Sequence, residues 1–139
     1  MTAHSEENKK VLQEKYIELQ LLSMQIQQLE QQLETLDQRM QEFLNLRESL
    51  QKLSTLKANT KSLTPIGPGI FVDGTVDTTK GVLINVGAGV IVRKTIDAAQ
   101  EIISKQLQKL EEITLELSDN LQRLSEQAHI VEMQIDKLT

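Results

Sequence analysis

Apolar positions along the chain fall into three regimes. From Leu19 onward, Leu22, Ile26, Leu29, Leu33, Leu36, Met40 and Phe43 are spaced alternately three and four, an unbroken a/d series over four heptads. The series then shifts to Leu46, Leu50 and Leu53, so that two steps of three adjoin, a stammer that locally overwinds a coil. Residues 6–57 are predicted as one helix, about 75–80 Å long, N-capped by Ser5 and closed by Asn59. At the other end Ile96, Ile103, Leu110, Leu117, Leu124, Val131 and Leu138 recur every seven residues, which predicts a second helix over 95–138 capped by Thr95. Between them the period drops to two. Strands are predicted at roughly 62–66, 69–76, 81–86 and 89–94, forming two hairpins in series.

The two helical seams match each other in antiparallel order. Partners whose numbers add to 150 bring Leu19 to Val131, Leu22 to Ala128, Ile26 to Leu124 and Phe43 to Leu107. Past the stammer, Leu46 is expected opposite Ile103 and Leu53 opposite Ile96. The fold class is therefore α+β: a long antiparallel two-helix coiled coil with two β-hairpins at the turn. Its parts are 1–61, the N-terminal helix; 62–94, the tandem hairpins; and 95–139, the C-terminal helix, all within one domain.

The hairpins are an internal repeat. Ile66-Gly67-Pro68-Gly69-Ile70-Phe71-Val72 aligns with Val86-Gly87-Ala88-Gly89-Val90-Ile91-Val92, and Gly67, Gly69, Gly87 and Gly89 are the expected turn glycines. Ile70, Val72 and Val76, and then Val82, Ile84, Val86, Val90 and Val92, alternate onto one face, while Phe71, Leu83 and Ile91 make the other face partly apolar. Isolated hairpins are marginal in water, and open strand edges pair readily with other chains. Ile70, Phe71, Val72, Val76, Val82, Ile84, Val86, Val90 and Val92 are therefore expected to build an oligomeric β-barrel with other subunits. The alternative is a small sheet packed on its own helices.

Composition narrows the function. Of 139 residues, 2% are aromatic and none is Trp or Cys, so a compact core, disulfides and thiolate metal sites are not expected. The net charge is −5, with acidic helices and a slightly basic middle, which is no footprint for nucleic acid and disfavours an RNA-binding arm. No apolar leader and no spanning segment is visible, so a soluble cytoplasmic protein without membrane attachment is expected. His4 and His129 lack ligand partners. The pairs Glu14/Glu18, Glu30/Glu34 and Glu112/Glu116 fall on solvent faces, and the Gly-x-Gly turns lack the features of a phosphate loop. Neither enzymatic activity nor a cofactor nor a metal is expected.

Near the chain ends Val11, Tyr16, Ile17, Leu21, Met24, Ile130 and Met133 lie off the seam. With Leu12, Ile135 and Leu138, which fraying of the coil would expose, they form a candidate apolar patch for protein binding.

Helix, two tandem Gly-x-Gly hairpins, helix: this layout resembles the prefoldin subunits, and the second hairpin points to their α class. The local matches are Pro65-Ile66-Gly67-Pro68-Gly69, Phe71 followed by Gly74, and Asn85-Val86-Gly87-Ala88-Gly89 leading to Lys94 and Ala98. Pro68 departs from the small residue usual there. The resemblance covers nearly the whole chain and points to an archaeal-type subunit. It implies a heterohexamer of two α and four β prefoldin subunits, with joined β-barrels and hanging coiled coils. It further implies an ATP-independent holdase that captures unfolded proteins and delivers them to a group II chaperonin. A filament-forming structural protein of the same fold is the alternative.

Overall fold

A computed structural model describes residues 2–139, with side chains from Ser5 onward; the side chain of His4 lies outside the described residues. The element order is α1 (Thr2–Ser54), β1 (Thr60–Gly67), β2 (Ile70–Val76), β3 (Val82–Gly87), β4 (Val90–Lys94) and α2 (Ile96–Leu138). The chain divides into two compact units, one holding the segments up to Arg39 and from Leu110 on, the other Met40–Lys109.

In the first unit the leucine seam forms as its spacing requires. Leu22, Ala128, Val131 and Ile135 are buried together, with Leu12, Leu19, Ile26 and Leu124 packed against them. Leu22 of α1 is thus buried in one cluster with Ala128, Val131 and Ile135 of α2, in keeping with an antiparallel pair. Thr114 is a polar position in the seam. Its hydroxyl donates to the Leu110 carbonyl at 2.7 Å, so part-burial leaves no orphaned donor.

In the second unit Leu50, Ala99, Ile103 and Leu107 are buried, and Phe43, Leu44, Leu53, Val82, Ile84 and Ile96 pack on them. Leu46 corrects the expected seam past the stammer. It is 46% exposed, and Leu50 takes the buried place beside Ile103. Two adjoining steps of three swing Leu46 off the seam and toward β3, where it lines a groove described below.

Helix boundaries also move. Ser5 lies inside α1, which begins at Thr2, so it is not the N-cap. At its other end α1 stops at Ser54, short of the predicted 57. There the Ser54 hydroxyl donates to Gln51 O (2.6 Å) and the Thr55 hydroxyl to Lys52 O (2.7 Å). Thr55 N and Leu56 N also donate to carbonyls three residues back, at 3.2 Å each, which tightens and ends the last turn. Asn59 does adopt a left-handed φ of 62°, but as the bend into β1 and not as the residue that closes α1. Lys61 accordingly belongs to β1, which starts two residues before the predicted strand. Thr95 caps α2 as expected: its hydroxyl accepts from Ala98 N at 3.1 Å, with Asp97 in the first turn.

The four strands form two separate antiparallel pairs, β1 with β2 and β3 with β4. Thr64 faces Val72 and Pro65 faces Phe71 in the first hairpin; Ile84 faces Val92 and Asn85 faces Ile91 in the second. Each register shifts by one residue next to the turn, between Pro65 and Gly67 and between Asn85 and Gly87. Every strand thus keeps one edge with no strand partner among the described residues.

Candidate functional site

The two turns differ although their sequences repeat. In the first, Pro68 is held near φ −65° by its ring, and Gly69 follows at +73°. That is the sequence pattern of a type II turn. In the second, Ala88 and Gly89 both have positive φ, 53° and 75°, the signature of type I′. Gly87 has φ 109° and its amide donates to Asn85 Oδ1 at 3.0 Å. Gly67 corrects the sequence reading, since it lies outside the left-handed region and an added Cβ there would meet nothing within 4 Å.

The glycine that sequence reasoning missed is Gly81. Its φ is +86°, and a Cβ there would lie 2.1 Å from the Lys94 carbonyl oxygen. It ends the loop 77–81, where the Thr79 amide and hydroxyl both donate to Asp77 Oδ1, at 2.9 and 2.6 Å. Those two bonds, the hydroxyl's first, hold the Asp77 carboxyl below its ordinary pKa. Gly81 N donates to Thr78 O at 3.0 Å, and Arg93 Nη1 donates to Lys80 O at 3.4 Å. The predicted strands 81–86 and 89–94 already bring Gly81 to the level of Lys94; its positive φ and the closeness of its approach to that carbonyl were not legible in the sequence.

The nine expected assembly residues separate into two groups. Ile70, Phe71 and Val72 are exposed with Leu63 and Ile66, all between 45 and 65%. Val76, at the base of the first hairpin, is half-buried. In the second hairpin Val82, Ile84 and Val92 are half-buried, Val82 and Ile84 against the helices, while Val86 and Val90 stay exposed. The alternative of a sheet packed on its own helices therefore holds for one face of the second hairpin alone. A groove of about 640 Å³ runs beside that face. Phe43, Leu46 and Leu50 of α1, residues 82–86 of β3, and Ala99, Ile102 and Ile103 of α2 line it.

In the first unit the off-seam residues are all at the surface. Val11, Tyr16, Ile17, Leu21, Ile130 and Met133 are 40–57% exposed, and Met24 is 60%. Leu12 and Leu138 are half-buried, and Ile135 is buried in the seam, so these three become available only if the end of the coil opens. Among the described residues no group of three His, Cys, Asp or Glu side chains is placed to hold a metal ion. No helix among them is long and apolar enough to cross a membrane.

Residues 22–139 match the Prefoldin family, described as prefoldin subunit. Prefoldin subunit alpha of Archaeoglobus fulgidus is 26% identical over 128 residues, covering 92% of this chain and 93% of that one. Prefoldin subunit alpha 1 of Thermococcus kodakarensis is 34% identical over 103 residues, 74% of this chain and 70% of that one. Among solved structures, filamentous PFD from Methanocaldococcus jannaschii, determined by cryo-electron microscopy, has a chain of the same fold. Its TM-score is 0.73 at 20% identity, over 85% of this chain and 98% of that one.

Proposed function

The chain belongs to the prefoldin family of molecular chaperone subunits, in the company of its α members, and from that premise we propose that it is an ATP-independent holdase subunit. In this reading it assembles with β-type prefoldin subunits, two α to four β, through its hairpins. It captures unfolded chains with the apolar residues near its termini and passes them to a group II chaperonin in the cytoplasm.

One observation carries the capture step. Tyr16, Ile17, Leu21, Ile130 and Met133 are at least half exposed in the same compact unit, away from the seam that consumes the other apolar residues. An unfolded client has no fixed sequence, so distributed aliphatic and Met contacts suit it better than a shaped pocket. Each such side chain contributes about 1.5–3 kcal/mol when fully buried, before ordering costs. Several subunits acting on one client raise the effective affinity. Open strand edges and the exposed apolar faces of Ile70, Phe71 and Val72 support the assembly step. The reading requires neither nucleotide nor catalysis.

The test is aggregation of a denatured enzyme in the presence of the complex and the absence of ATP. The complex is expected to suppress it. Replacing Tyr16, Ile17, Leu21, Ile130 and Met133 with Ser is expected to weaken suppression and leave the mass of the complex unchanged. Full activity in that variant would move the client site elsewhere. A second reading, a filament of the same fold, draws support from the filamentous neighbour. Elongation of the purified chain without a β-type subunit would favour it.

A further inference from the structure

The outer faces of the two helices in the first unit are built differently. On α2 the positions pointing away from the seam carry Glu112, Glu116, Asp119, Arg123 and Glu126, a solvated charged row that turns apolar only at its end, at Ile130 and Met133. The equivalent row on α1 is Ile17, Leu21, Met24, Gln28, Gln31 and Thr35, with no charge over about 27 Å. From Leu19 to Leu29 no charged residue occurs on any side of α1. All six row residues are exposed, and they are spaced four, three, four, three, four. That is a second heptad-like stripe, with no helix seated on it among the described residues. Two shallow grooves run along it. One has Leu21 and Met24 in its wall; the other has Thr35, Leu36, Ile113 and Leu117; Gln28 and Gln31 border both.

We infer that this stripe is a docking track for an amphipathic helix, and that the segments the chain holds best are helix-forming stretches with an aliphatic ridge and a basic end. The inference rests on the holdase reading and adds the class of segment recognised. An α-helix offers no open backbone edge, so an extended client cannot add a strand to it. A stripe spaced by fours and threes does interlock with the i, i+3, i+4, i+7 ridge of another helix. Charge sets the ends. Lys10 and Glu14 share the near end of the row and sum to no net charge, whereas at the far end Glu34 lies beside Gln31 and Thr35 and makes no ion pair among the described residues. A lysine or arginine there would find an unpaired carboxylate, and the uncharged middle lets an apolar ridge approach without desolvating ions.

The probe is a fluorescent peptide of about 18 residues. It has a Leu/Met ridge at helical spacing and lysines at one end, and is titrated onto the complex of the full chain with β-type subunits. It is expected to bind about tenfold tighter than a peptide of the same composition with strictly alternating pattern, and tighter than one with glutamates in place of the lysines. Gln28→Lys with Gln31→Lys, which alters neither the seam nor Tyr16, Ile17, Leu21, Ile130 and Met133, is expected to remove that preference. The variant's circular dichroism and the mass of the complex should not change. Equal binding of helical and alternating peptides, or unchanged preference in the double lysine variant, would overturn the inference. A doubling of mass that Leu21→Ser with Met24→Ser abolishes would also overturn it, by assigning the stripe to a second copy. If the complex suppresses aggregation yet shows no helical preference, this inference fails and the holdase reading stands; if it does neither, both fail.

Discussion

The two hairpins are copies of one sequence pattern, yet they occupy opposite situations. The second rests Val82 and Ile84 on Leu50, Ala99 and Ile103, while the first shows apolar side chains on both faces to solvent. Connection length accounts for much of the difference. Thr95 alone separates β4 from α2, so the second hairpin is fixed to a helix at once. Ala99, one turn into that helix and only 2% exposed, is small enough to let β3 approach. The first hairpin hangs between two five-residue links, 55–59 and 77–81, and none of its residues is among those packed on the core around Leu50 and Ile103. A repeated motif thus supplies one hairpin as a foundation and one as an unfinished surface, the form in which a subunit awaits a partner.

Glycine substitutions break the comparison most strongly. Gly81→Ala drives a Cβ into the Lys94 carbonyl at a positive φ, and is expected to cost about 3–5 kcal/mol. Gly67→Ala meets open space at an ordinary φ and is expected to fall within about 0.5 kcal/mol of the parent. Chemical denaturation of the two variants side by side reads the contrast. Equal losses would mean that the clamp at Lys94 does not hold the second hairpin.

Core truncations come next. Ile84→Ala is expected to lower stability by about 1–2 kcal/mol, the value of a half-buried aliphatic side chain on a formed core. Val72→Ala, its counterpart in the exposed hairpin, is expected to change the isolated chain by less than about 0.5 kcal/mol and to weaken assembly instead. If both lowered the melting temperature alike, the first hairpin would have a core of its own.

The smallest effect is in the turns. Ala88 sits at φ 53°, which glycine adopts without a Cβ penalty, so Ala88→Gly is expected to stabilise the second hairpin by about 0.5–1 kcal/mol. The matching Pro68→Gly removes a ring that presets the turn and is expected to destabilise by a similar amount. Thermal melts of the two variants shifting in the same direction would contradict the assignment of two turn types.

Much of this architecture could be read from spacing, because the Leu19-to-Phe43 and Ile96-to-Leu138 series each leave one antiparallel solution. The hairpins followed from Gly-x-Gly between alternating segments, to within two residues at each strand end. What stayed hidden depends on distant partners. The docking of Val82 and Ile84 but not Ile70 and Val72 needs Ala99 and the single-residue link. The burial of Leu50 in place of Leu46 needs the groove beside β3. The end of α1 needed the competition of Ser54 and Thr55 hydroxyls for backbone carbonyls, which a capping rule centred on Asn59 overlooks. Val11, Tyr16, Ile17, Leu21, Ile130 and Met133 were legible as apolar positions off the seam, and all six are exposed.

In the proposed assembly the first hairpin is completed by another subunit. The direct measurement is the native mass of the assembly formed by the Val72→Asp chain and a β-type subunit, with circular dichroism of the same sample. The prediction is unchanged helix content and no full-size complex, because a carboxylate at the exposed face is solvated in the free chain but would be buried without a partner in the proposed joint barrel. A Val72→Asp chain that enters a full-size complex would contradict it.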